Sequence, residues 1–124
     1  MTTFNGYEYN DCGVCVNPDV PYEFGSFKDC YFSISISETP RGWVHGHNCH
    51  VGTGGCGKGC WHHSETTYTS KSKAIVACAE RIKEWYGNDK GATKAIAELD
   101  RIIAEESGKK PYLKQYSIFD YLND

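Results

Sequence analysis

The 124-residue chain is predicted to be an α+β domain: a small antiparallel sheet packed by two helices, with a zinc-stapled segment rich in glycine and cysteine. Three observations lead there. Tyr31 to Ser37, YFSISIS, alternates strictly between two kinds of side chain, the period of a half-buried strand. Residues 69–107 carry apolar side chains at spacings of three and four, the period of amphipathic helices. Between these, His45 to His63 gathers all five histidines and three of the seven cysteines, set among glycines. The length fits one domain, 1–124, with Cys/Gly-rich strands and loops over 1–68 and a helical part with a docked tail over 69–124. A single core this small often needs a staple.

The strand turns Phe32, Ile34 and Ile36 to one face. Glu38-Thr39-Pro40-Arg41 reads as a turn, and Gly42 to Cys49 returns as the second strand of a hairpin. With that four-residue loop, Ser37 pairs with Gly42, Ile36 with Trp43, Ile34 with His45, Phe32 with His47, and Cys30 with Cys49. Directly opposed Cβ atoms lie roughly 4.5–5.5 Å apart. For the first helix, Thr69, Ser70 and Ser72 are candidate N-caps. Ile75, Cys78, Ala79, Ile82 and Tyr86 form its apolar stripe, and Gly87 stops it. Cys78 is therefore expected in the core, not at a metal. After a short loop, Asn88 to Gly91, the second helix spans Ala92 to Ser107 with Ile96, Leu99, Ile102 and Ile103 inward. The short loop makes the two helices neighbours. The tail PYLKQYSIFDYL is apolar enough to dock, as a short helix or an added strand.

The first residues, MTTFNGYEYNDC, have neither the basic nor the apolar region of a signal peptide. No apolar run reaches the length that spans a bilayer. An intracellular, cytoplasmic chain with no membrane partner is expected. Thiols there stay reduced, so clustered cysteines point to metal more than to disulfides. Residues 1–70 hold three basic and seven acidic side chains, and residues 71–124 hold ten and nine. An acidic, cysteine-rich half is the wrong sign for a groove that tracks phosphates, which disfavours nucleic acid as a partner.

The cysteines outside the helix suggest zinc. Cys12 and Cys15 form a C-x2-C pair, and Cys56 and Cys60 a C-x3-C pair flanked by Gly55, Gly57 and Gly59. Such spacing lets one turn bring two thiolates to one ion, and Zn²⁺ favours tetrahedral sites of four thiolates or of three with one imidazole. Cys30 and Cys49, opposed in the hairpin, supply a further pair. The candidate ligands are thus Cys12, Cys15, Cys30, Cys49, Cys56 and Cys60, with His62, His63 and His47 as possible additions. One site or two, and which four residues bind, stay open. His45, His47 and Cys49 share one strand face, where a histidine packed against the core is the commoner outcome.

Catalytic patterns are missing. H-E-x2-H does not occur, nor does the H-x-E with P-C-x2-C of zinc deaminases. In GTGGCGKGC, Gly59 follows Lys58 where a phosphate-binding loop needs Ser or Thr. A binding module is expected, not an enzyme. The order G-W-x-x-G (Gly42 to Gly46), a glycine-rich loop, and S-K-x-x-A-I (Ser70 to Ile75) resembles a β-hairpin-plus-helix module of uncharacterised phage and mobile-element proteins. The resemblance covers residues 30–86, leaves the cysteines out, and implies an accessory or host-directed inhibitor. Nine tyrosines and three tryptophans supply rings that suit contact surfaces. The expected function is a zinc-stabilised protein-binding domain, a regulator or inhibitor of a partner protein. A nucleic-acid-associated accessory domain and a small zinc-dependent enzyme are the alternatives.

Overall fold

The computed structural model describes residues 2–25, 30–51, 54–87 and 92–108. Its elements are β1 (Thr2–Phe4), β2 (Tyr7–Tyr9), β3 (Asp19–Gly25), β4 (Cys30–Thr39), β5 (Gly42–Val51), β6 (Gly54–Lys58), α1 (Lys71–Tyr86) and α2 (Thr93–Ser107). β3-β4-β5-β6 form a four-stranded antiparallel sheet in that order, and β1 and β2 form a separate hairpin. The α+β class is as expected from the sequence. The expected tail and the 88–91 loop lie outside the described residues.

The β1–β2 hairpin is not among the elements expected from the sequence. Its two-residue loop is Asn5-Gly6, with φ of 49° and 90°. Both central residues of this turn need positive φ, which Asn and Gly tolerate best. Phe4 pairs with Tyr7 across it.

The central hairpin forms, but in a different register. Thr39 pairs with Gly42, Ile36 with His45, Ile34 with His47, Phe32 with Cys49, and Cys30 with Val51. The loop is Pro40-Arg41, two residues shorter than expected. Thr39 Oγ1 accepts a bond from the Arg41 N–H at 3.2 Å and donates to the Gly42 carbonyl at 3.0 Å, so Glu38 and Thr39 stay in the strand. A slip of two preserves the faces, but it makes Cys30 and Cys49 diagonal instead of opposed.

The helices cover one face of this sheet. Phe32, Ile34 and Ile36 pack with Ile75, Cys78, Ala79 and Ile82 of α1 and with Ala95, Leu99 and Ile102 of α2. Ser70 is the N-cap of α1, its Oγ accepting from the Lys73 N–H at 3.2 Å. Cys78 is fully buried, as expected of a core residue. Glu106, near the end of α2, is buried as well. Its carboxylate accepts from Ser72 Oγ at 2.9 Å and from the Tyr22 hydroxyl, tying α2 to α1 and to β3. Periodicity alone would have placed a charged residue outside. The other face carries a second, smaller cluster of Tyr9, Cys15, Val44 and Cys60. Among the described residues no helix is long and apolar enough to cross a membrane.

Gly46 lies where two strands crowd its backbone. A Cβ there would meet the Lys58 carbonyl oxygen at 2.5 Å and Ser35 Oγ at 2.8 Å. Forcing atoms into a filled site costs roughly 1–3 kcal/mol. Gly46→Ala should therefore lower the urea midpoint by that equivalent; an unchanged midpoint would mean that β6 does not sit against β5 as described.

Candidate functional site

The candidate metal ligands divide between two places. Asn10 builds the Cys12–Cys15 turn: its Oδ1 accepts from the Cys12 N–H at 2.9 Å and the Val14 N–H at 3.0 Å. Cys12 is exposed, while Cys15 enters the smaller cluster beside Cys60. The Cys15 N–H donates to the Cys60 carbonyl at 2.9 Å. Cys30 and Cys49 instead face the helices in the main core. Cys56 lies on β6, paired with Cys49; its side chain falls outside the described residues. The segment from Cys56 to Cys60 runs along an extended strand and past its end, rather than closing as a turn. Among the described residues, no group of three or more His, Cys, Asp or Glu side chains is placed to hold one metal ion. Burial pushes the Cys60 thiol up to about 11 and raises that of Cys78 as well, so both are thiols at neutral pH.

His62 and His63 lie beside the Cys12–Cys15 turn. The His62 N–H donates to the Gly13 carbonyl at 2.7 Å, and the His62 ring meets Tyr9 edge-on at 4.9 Å. With Asp11 they line a cavity of about 230 Å³.

The larger cavity, about 330 Å³, opens on the helix side of β5. Four parts of the chain build it. β5 contributes His45, β6 contributes Lys58, α1 contributes Arg81, and the segment between β6 and α1 contributes Trp61, Ser64, Glu65, Thr66 and Tyr68. That segment is held at both ends. Val14 and Trp61 form an antiparallel bridge. Trp43 and Tyr68 exchange two backbone bonds of 2.8 and 2.9 Å. Arg41 donates to the His62 carbonyl at 2.9 Å, and Thr67 Oγ1 donates to the Arg41 carbonyl at 3.1 Å. The hairpin turn thus fixes the wall of the cavity.

His45 packs its ring on Tyr68, centroids 5.7 Å apart, and its Nδ1 is buried without a hydrogen-bond partner among the described residues. Burial, then the charges of Lys58 and Arg81, push its pKa down to about 4. Burial and the same two cations lower His47, whose ring meets Trp85 edge-on at 4.8 Å. Both imidazoles are therefore neutral at physiological pH. The unfolded chain binds a proton near pH 6.5, whereas folded His45 does so only near pH 4. Stability is thus full above about pH 6.5 and falls as pH drops towards 4, by roughly 1–3 kcal/mol from this group. His45→Asn should flatten that part of a urea-midpoint profile; an equal slope in the variant would remove His45 as its source.

The chain matches no known family, no curated protein and no solved structure.

Trp61 stands at the rim of the cavity, 42% exposed. Trp85 is 46% exposed one helical turn from Arg81, whose guanidinium lies 5.9 Å from the Trp85 ring centre. Both tryptophans thus flank the two cations. None of Lys58, Trp61, Tyr68 or Arg81 was singled out for a shared site in the sequence. Lys58 pairs with His47 across β5 and β6, and a hairpin drawn through Gly52 to Gly55 would have placed it beside the histidine face. The meeting with Arg81 is tertiary and leaves no local signal.

Proposed function

We propose that the chain is a protein-binding domain that regulates or inhibits its partner, and that its contact face is the larger cavity with its rims. The observation that carries this reading is the placing of two exposed tryptophans around Lys58 and Arg81. Trp, Tyr and Arg are the residues that dominate binding energy at protein interfaces. A concave polar floor between them receives one anchoring side chain of the partner. Immobilised protein should capture its partner from an extract of the cells in which it works, and Trp61→Ala with Trp85→Ala should abolish that capture while the melting transition is kept. Truncating one such anchor typically costs 2 kcal/mol or more, roughly thirtyfold in affinity. Undiminished capture by the double variant would overturn the assignment of this face. A salt-sensitive affinity for RNA or DNA stronger than that for any protein would put the nucleic-acid reading first, since aromatic rings interleaved with cations also suit single strands.

A zinc ion that staples the Cys12–Cys15 turn to the segment after β6, next to the cavity through Trp61, is a second reading. It is favoured by the meeting of the two segments that carry Cys12, Cys15, Cys60, His62 and His63. If zinc binds there, its binding free energy is folding free energy. The purified chain should then hold about one equivalent of zinc and melt lower in excess chelator. Metal-free protein with an unchanged melt would remove the ion from the account.

A further inference from the structure

We propose that the cavity between β5, β6 and α1 receives the phosphoryl group of a phosphorylated side chain on the partner, held between Lys58 and Arg81. This rests on the reading of that face as a protein-binding one and names what it recognises.

The charges favour a dianion. Lys58 from β6 and Arg81 from α1 line the same cavity, and both act on His45 and on His47. Neither has an ion-pair partner among those described. The one carboxylate in the lining is Glu65, which is exposed at the rim, where water screens it. A carboxylate ligand would neutralise one cation and leave the other. A phosphoryl group carries about −1.5 to −2 at neutral pH and offers three strong acceptor oxygens, enough for the planar fork of Arg81 and the ammonium of Lys58 together.

Shape and hydroxyls agree with charge. The cavity, about 330 Å³, has room for a phosphoryl group with its stem. Thr66 and Tyr68 bring hydroxyl-bearing side chains to the lining; the Ser64 hydroxyl donates to the Thr66 carbonyl at 3.0 Å and so faces a ligand only as an acceptor. Trp61 and Tyr68 provide aromatic walls for the stem. A single concavity suits one phosphorylated side chain. A nucleic-acid strand needs a track of cations, and residues 1–70 carry only three basic side chains against seven acidic ones.

The site also reports its own occupancy. The groups that face His45 are His47 on its own strand, Lys58 on β6, Arg81 on α1, and Tyr68 and Glu65 on the intervening segment. An anion that neutralises Lys58 and Arg81 removes the repulsion that opposes a proton on His45, so the imidazole titrates at higher pH when the cavity is filled.

The experiment is an NMR titration of the full chain at constant ionic strength with inorganic phosphate, O-phosphoserine, O-phosphotyrosine, acetate and an oligouridylate. The expected result is a saturable shift of the His45 ring and Arg81 side-chain resonances with the three phosphates, a raised His45 titration point, and no such response to acetate. Arg81→Gln and Lys58→Gln, both at exposed positions, should each weaken phosphate binding roughly tenfold. Acetate acting as well as phosphate, no response to phosphate, or an oligouridylate bound more tightly than either phosphoamino acid would overturn the proposal. Phosphatase treatment of the extract separates this inference from the reading beneath it. Loss of capture supports the phosphoryl group; capture that survives phosphatase but not Trp61→Ala with Trp85→Ala overturns the phosphoryl group alone.

Discussion

Leu99→Ala should lower the unfolding free energy by about 2–5 kcal/mol, the range for truncating a fully buried leucine. Leu99 has no exposed surface and sits where α2 meets α1 and the sheet. It already borders a void of about 10 Å³ lined by Cys30, Phe32, Cys49, Ile82 and Ala95. Those walls offer water nothing to bind, so the space vacated by the side chain stays empty and its lining loses contacts outright. Urea unfolding followed by tryptophan fluorescence reads the loss. Arg101→Ala, on the exposed side of the same helix, is the control. Its pairs with Glu98 and Glu105 are on the surface and contribute about 0–1 kcal/mol. A Leu99→Ala cost as small as that of Arg101→Ala would mean that α2 is not packed on the sheet as described.

Tyr9→Ala tests the other side of the sheet and should cost about 3–5 kcal/mol, as other large aromatic truncations do. Tyr9 is fully buried against Cys15, Val44 and Cys60. Its hydroxyl donates to the Glu38 carbonyl at 2.6 Å and lies 2.8 Å from Ser37 Oγ. Tyr9→Phe keeps the ring and removes the hydroxyl, leaving buried acceptors unsatisfied, which should cost about 1–3 kcal/mol. The two variants therefore separate packing from hydrogen bonding. If Tyr9→Ala costs under about 1 kcal/mol, the β1–β2 hairpin lies outside the cooperative unit and the smaller cluster is an ornament on the larger one.

Those two residues mark what the sequence made legible. Leu99 is read as inward from helical spacing, and α1, α2 and β4 show in their period, because each buries one face along its own length; β5 follows from the turn that returns the chain beside β4. Tyr9 was not placed at all. The signal existed: Asn5-Gly6 between Phe4 and Tyr7 is a hairpin turn, and Tyr9 follows on β2. β3 was missed because Pro21 interrupts its run, though an edge strand tolerates proline. β6, Gly54–Lys58, has no strand propensity; its glycines were read as a metal knuckle. A Cβ at Gly55 would meet the Cys49 carbonyl at 2.7 Å, so close strand approach accounts for that glycine in the structure. The hairpin register slipped because four turn-like residues do not reveal that Thr39 remains in the strand. The cavity was illegible for a deeper reason. His45, Lys58, Tyr68 and Arg81 come from four elements, and each looks ordinary in its local pattern.

Among the described residues β3 is an edge strand of the four-stranded sheet, and Val20 on it is exposed. A long flat open edge recruits other chains and seeds fibres. Here Pro21 removes one donor from that edge, and the pairing with β4 is irregular between Asp19 and Tyr22, which bends and twists the strand. The proline that hides β3 in the sequence thus also blunts this edge against pairing with other strands, and valine at that position should favour edge-to-edge association.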